Sequence, residues 1–165
     1  MNKSGELELM LKSFEEDFQI YDTEADNEPI EVPFTSYNDR TRIVYKAACV
    51  GLRDYFHKNG YKKACVGLSG GIDSSVVACL AVGALGAENV KGLMLPSQFS
   101  SESSVEDAKK LAENLGIDFS VLPISEAYTA IMNTLKPITG GTEFDATEEN
   151  IQSRIRTVLL MALQN

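Results

Sequence analysis

Between Gly67 and Ser75 the chain reads Gly-Leu-Ser-Gly-Gly-Ile-Asp-Ser-Ser, a run in which most residue types have something to offer an anion. Gly70 and Gly71 permit positive φ and let backbone N–H groups approach a ligand closely. Ser69, Ser74 and Ser75 supply hydroxyls, and Gly67, Leu68 and Ile72 complete the turn. Asp73 is the odd member. A carboxylate repels phosphate unless a divalent cation lies between them, and Mg²⁺ bridging to phosphates reconciles the two. The run is not a Walker A loop, because no Gly-Lys-Ser/Thr follows, and it lacks the Gly-x-Gly-x-x-Gly dinucleotide spacing. The alternative, a tight glycine turn that merely reverses the chain, is set against S-G-G-x-D-S placed between a strand and a helix.

The surrounding pattern says which elements hold this turn. Ala64 to Leu68 is a short apolar run, read as a strand, and an apolar stretch from the turn through Leu85 reads as a helix closed by Gly86. The turn therefore falls at the carboxyl end of a strand, where open α/β sheets bind ligands, and the helix adds its positive N-terminal end. The unit then repeats. Val90 to Leu95 reads as a second strand, Ser97 to Ser103 as a polar loop, and Ser104 to Leu115 as a helix with a Ser103–Glu106 capping box and Gly116 as its stop. Phe119 to Leu122 reads as a third strand, followed by a helix near Ser125 to Leu135, a loop over 136–146 and a last helix from Thr147 to Asn165. Strands alternating with helices imply parallel pairing through right-handed crossovers. The expected fold is α/β, a doubly wound, mostly parallel sheet with helices on both faces.

Upstream, Leu7, Met10, Leu11, Phe14 and Phe18 recur at helical spacing and predict an amphipathic helix over 5–20. Residues 21–38, with Pro29 and Pro33, read as an extended linker, and a helix is expected from about Asn38 to the Asn59–Gly60 stop. Ten of the acids fall in residues 1–31 against Lys3 and Lys12, whereas the remainder is close to neutral within a net charge of −9. An acidic lead-in (1–39) thus precedes a domain (40–165). Nothing forms the basic stripe that nucleic-acid binding requires.

The chain has 165 residues, 44% hydrophobic and 24% charged, enough to bury a core and far from the composition of a disordered tail. Its longest apolar run, Val76 to Leu85, is too short to span a bilayer, and no leader pattern opens the chain, so the expected setting is cytoplasmic. Cys49, Cys65 and Cys79 match no metal-ligand spacing and read as reduced structural thiols. His57, beside Lys58, reads as an exposed residue at a helix end.

Ser69 to Ser74, SGGIDS, resembles the pyrophosphate-loop motif of the N-type ATP pyrophosphatases, which cleave ATP between its α and β phosphates. The stretches 51–86, 93–117 (LMLPSQFSSESSVEDAKKLAENLGI) and 148–165 (EENIQSRIRTVLLMALQN) are similar to the synthetase domain of glutamine-dependent NAD synthetases. That resemblance implies an adenine-nucleotide α-hydrolase-like, Rossmann-like fold and ATP-dependent amidation of deamido-NAD through an adenylate, with ammonia from glutamine or free ammonia. It implies that Gly67, Leu68, Ser69, Gly70, Gly71, Ile72, Asp73, Ser74 and Ser97 bind ATP, with Asp73 on Mg²⁺ and Ser69 and Ser74 beside it in catalysis. Asn150 and Arg154, one helical turn apart, would contact deamido-NAD. It further implies a homodimer whose helices near 151–162 pack across the two-fold axis, and an upstream glutaminase domain. The chain is expected to be a piece of a longer protein, incomplete at its C-terminus and with little turnover alone, because further family ligands lie beyond the last helix. The loop alone leaves open a GMP- or asparagine-synthetase-type ligase, or a non-catalytic nucleotide-binding module.

Overall fold

The structure is a computed structural model, and it describes residues 4–25, 27–30, 40–140 and 146–163. The chain divides into two compact units, Met1–Gly51 and Leu52–Asn165.

In the first unit, residues 5–20 form no helix, contrary to their periodicity. The backbone turns at 13–15, where Phe14 takes φ +68°, a conformation that ends a right-handed helix. Side chains hold the turn: the Lys12 N–H donates to Asp17 Oδ2 at 3.0 Å, and the Tyr21 hydroxyl donates to the Glu8 carboxylate. The Ile30 N–H donates to the Leu7 carbonyl at 2.7 Å, joining the two ends of the segment. Phe18 stays exposed while Leu7 and Phe14 are half-buried, so the expected stripe does not form one continuous buried face. Of the 21–38 linker, residues 26 and 31–38 lie outside the described residues. The unit ends within helix α1 (Arg40–Lys58), whose last turn carries an exposed His57 with Lys58.

In the second unit, three strands pair in parallel in the order β1 (Ala64–Leu68), β2 (Val90–Met94), β3 (Asp118–Val121). Helix α2 (Ile72–Leu85) and a 3₁₀ turn (Ala87–Asn89) join β1 to β2, and α3 (Glu102–Leu115) joins β2 to β3. Two helices follow, α4 (Ser125–Thr139) and α5 (Ala146–Ala162).

The strand period of two sends side chains to two cores. Val66, Leu68, Val90 and Met94 pack with Ala78 and Ala81 of α2 and Ala108 and Ala112 of α3. Leu93 and Leu95, with Cys65, pack on the opposite side with Ile124, Tyr128 and Ile155. Helices therefore cover both faces, as expected of a doubly wound sheet. Gly92 leaves room in the first core for Leu68, whose Cδ1 would lie 2.8 Å from an added Cβ and would have to shift.

Two local expectations are corrected. Helix α3 begins at Glu102 and is capped by Ser101, whose Oγ accepts from the Ser104 N–H at 3.2 Å, so the Ser103–Glu106 box is not the cap. Helix α4 continues through Pro137 into the expected 136–146 loop; Gly140, at φ +69°, ends it by donating its N–H to the Lys136 carbonyl. Residues 141–145 of that loop lie outside the described residues.

Candidate functional site: a cleft at the strand ends

The turn after β1 is held by its own serines. Ser69 N–H donates to Ser74 Oγ at 3.2 Å, the two hydroxyls lie 3.0 Å apart, and Gly71 N–H donates to Ser69 Oγ at 3.2 Å. Ser74 and Ser75 hydroxyls donate to the Gly71 carbonyl at 3.0 and 2.9 Å. This web leaves the N–H groups of Ile72, Asp73 and Ser74, at the start of α2, without helical acceptors. Gly70 takes φ +77°, and a Cβ there would sit 2.5 Å from the Ser104 carbonyl oxygen. The turn is thus pressed against the start of α3, and only glycine fits.

Beside the turn lies a cleft of about 550 Å³ at the carboxyl ends of β1 and β2. Gly67, Leu68 and Ser69 form one wall, Ser100, Ser101 and Ser104 a second, and Ser153, Arg156, Thr157 and Leu160 of α5 a third. Leu93, Leu95 and Phe99 give it an apolar side. Hydroxyls, a glycine turn and a guanidinium on three walls suit a ligand with anionic and apolar parts.

The expected residues divide among several places. Gly67, Leu68 and Ser69 line the cleft, and Gly70, Gly71, Ile72 and Ser74 build the turn at its edge. Asp73 is exposed in the first turn of α2 and does not line the cleft. Ser97 is buried; its hydroxyl accepts from the Phe99 N–H at 3.3 Å and its N–H donates to Ser100 Oγ at 3.0 Å, so it folds the loop that carries Ser100 and Ser101. Asn150 and Arg154 lie together on α5, with Arg154 Nη1 donating to Asn150 Oδ1 at 3.1 Å. They stand apart from the cleft, and Arg154 rims an apolar groove of about 370 Å³ between α4 and α5.

Among the described residues no group of three or more His, Cys, Asp or Glu could hold a metal. Asp73 stands exposed at the turn as a single carboxylate, and Mg²⁺, which keeps several waters, needs only one or two protein carboxylates.

Arg156 escaped the sequence reading. Its Nε donates to the Leu95 carbonyl at 2.9 Å, and burial pulls the guanidinium below its ordinary value, although arginine stays charged. The available signal was its place two residues beyond Arg154, which turns it to another side of α5.

A family model described as NAD synthase matches residues 44–165. The chain belongs to the NAD synthase family. It is 57% identical over 122 residues to the glutamine-dependent NAD(+) synthetase of Aquifex aeolicus, a match covering 74% of this chain and 22% of that protein. It is 40% identical over 168 residues to the Rhodobacter capsulatus enzyme of the same name, a match covering all of this chain and 30% of the relative. The chain thus spans between a fifth and a third of these NAD synthetases. Among solved structures it superposes with a TM-score of 0.71 and 42% identity on the glutamine-dependent NAD+ synthetase of Acinetobacter baumannii in complex with ADP, over 73% of this chain and 23% of that one. The NMN synthetase of Francisella tularensis gives 0.67 at 30% identity, over 74% of this chain and 49% of that one.

Proposed function

We propose that this chain supplies the ATP site of a glutamine-dependent NAD synthetase, which amidates deamido-NAD to NAD with release of AMP and pyrophosphate. The observation that carries the reading is the serine-braced glycine turn, pinned to α3, at the edge of a polar cleft beyond β1 and β2. The ADP complex of the Acinetobacter relative supports nucleotide binding in this fold.

A carboxylate is a poor electrophile. The nicotinate carboxylate of deamido-NAD therefore attacks the ATP α-phosphate, pyrophosphate departs, and ammonia displaces AMP from the resulting adenylate. The chain's part is positioning and charge neutralisation. The turn Gly67 to Ser74 cradles the departing pyrophosphate on N–H groups and hydroxyls, with Ser69 and Ser74 nearest the reacting phosphates. Ser97 acts through the loop it folds. Asp73 would hold Mg²⁺, which when bound offsets charge on the phosphate oxygens. Asn150 and Arg154, already joined, offer an amide and a guanidinium to deamido-NAD. A homodimer whose second copy covers the α4–α5 groove would set these two residues beside the shared substrate. Residues 1–39 serve as the lead-in from a glutaminase domain and 40–165 as the start of the synthetase domain, a division the family match from residue 44 supports. Three free cysteines and no membrane-length helix among the described residues suit a reducing, cytoplasmic setting.

Calorimetric titration of the wild type and Asp73→Ala with ATP, with and without Mg²⁺, tests the reading. The wild type should bind in a Mg²⁺-dependent manner and the variant about tenfold more weakly, the scale of one charge-assisted contact. Equal, Mg²⁺-dependent affinity in both would remove Asp73 from the site.

A further inference from the structure

Among the described residues Arg156 is a half-buried cation with no anionic partner. Its Nε is engaged by the Leu95 carbonyl, and among the described residues its terminal amino groups meet no acceptor. A guanidinium partly withdrawn from water is costly to leave unpaired, and it occupies the wall of an open cleft that also holds Ser153 and Thr157. Leu95 and Ser69 are the first residues beyond the ends of β2 and β1, which pair Leu68 with Met94. The tether of Arg156 and the start of the glycine turn therefore follow directly on a paired position of two neighbouring strands.

We propose that Arg156 is a phosphate-binding residue of this cleft, which takes the α-phosphate of the bound nucleotide while the glycine turn takes the pyrophosphate. The proposal rests on the reading of the cleft as an ATP site. The planar fork explains the choice of arginine. One N–H fixes the group to the end of β2, and the amino groups remain free to bind a phosphate oxygen pair. The turn's donors reach one end of a triphosphate, and the charge at its other end falls to α5.

AMP and inorganic pyrophosphate separate the two subsites. Both are titrated calorimetrically into the wild type, Arg156→Gln and Arg156→Lys, with circular dichroism to follow the fold. The expected result is AMP affinity lowered roughly 10- to 100-fold in Arg156→Gln, the range for a lost hydrogen bond to a charged group, with pyrophosphate affinity unchanged. Arg156→Lys should lie between, because it keeps the charge and loses the fork. If Arg156→Gln does not fold, Arg156→Lys carries the test by the same contrast between ligands. Undiminished AMP affinity in a folded variant would overturn the proposal and leave Arg156 a strut for Leu95. Equal loss of both ligands would overturn the assignment to the α-phosphate. A wild type that binds neither ligand overturns the ATP-site reading itself, and this inference with it.

Discussion

Gly70 bears the tightest constraint in the turn. Its φ of +77° is strained for any other residue, and an added methyl would meet the Ser104 backbone. Gly70→Ala should therefore destabilise the chain by roughly 1–3 kcal/mol in urea unfolding and push the turn away from α3; an unchanged midpoint would show that the turn tolerates the shift. A second residue-scale expectation concerns pH. The Lys91 ammonium, 2.9 Å from Asp118 across β2 and β3, holds that carboxyl below its ordinary 3.8. A depressed carboxyl stabilises the fold above its unfolded value, and that stability is lost as pH falls through the lower folded value. Asp118→Asn should flatten the fall of Tm below about pH 4 relative to the wild type, and parallel curves would contradict the pairing. Legibility differed sharply among residues at this scale. The glycine turn was readable because its backbone needs a residue without a Cβ at Gly70. The serines were read for hydroxyls offered to an anion, and their bracing of the turn came from the structure. Arg156 was not readable, because its value comes from the end of β2, sixty-one residues away.

Among the elements, those with a stop residue and a packing partner were legible. Strand β1 and the closures of α2 and α3 at Gly86 and Gly116 coincide with the expected boundaries. Where the sequence offers competing signals, the boundary moved. Ser100, Ser101, Ser103 and Ser104 can each cap a helix, and the choice of Ser101 follows from its extended backbone and the convergence of the Ser103 and Ser104 hydroxyls on it at 3.0 and 2.8 Å. Ser101→Ala should cost about 0.5–2 kcal/mol, typical of a lost N-cap. Ser103→Ala should cost less than half as much, and the reverse order in thermal unfolding would restore the box. Helix α4 outruns its expected end near Leu135: it carries Pro137 inside its last turn and stops only at Gly140. The failed helix over 5–20 shows the other limit: periodicity offers a face, and the left-handed backbone at Phe14 divides it, leaving Leu7 and Phe14 half-buried and Phe18 exposed.

At the scale of the whole molecule, the parallel order and the two covered faces follow from the alternation of strands and helices, which is why the fold class was readable. The stripe on α5 was only half legible. Ile155 proves to be core, buried with Leu93 and Ile124, whereas Val158 remains exposed beside the groove that Ala127 and Ile131 also line. Self-association is therefore best tested at Val158. Light scattering should find a dimer that Val158→Asp dissociates while circular dichroism stays native, and a monomeric wild type would assign the groove to another occupant. The most direct measurement is a crystal structure of the chain grown with the α,β-methylene analogue of ATP and Mn²⁺. The β and γ phosphates should lie on the turn Ser69 to Ser74, the α-phosphate should face Arg156, and an anomalous peak should stand beside Asp73. A nucleotide seated away from the strand ends, or a cleft left empty at saturating analogue, would contradict the assignment of this turn as the ATP site.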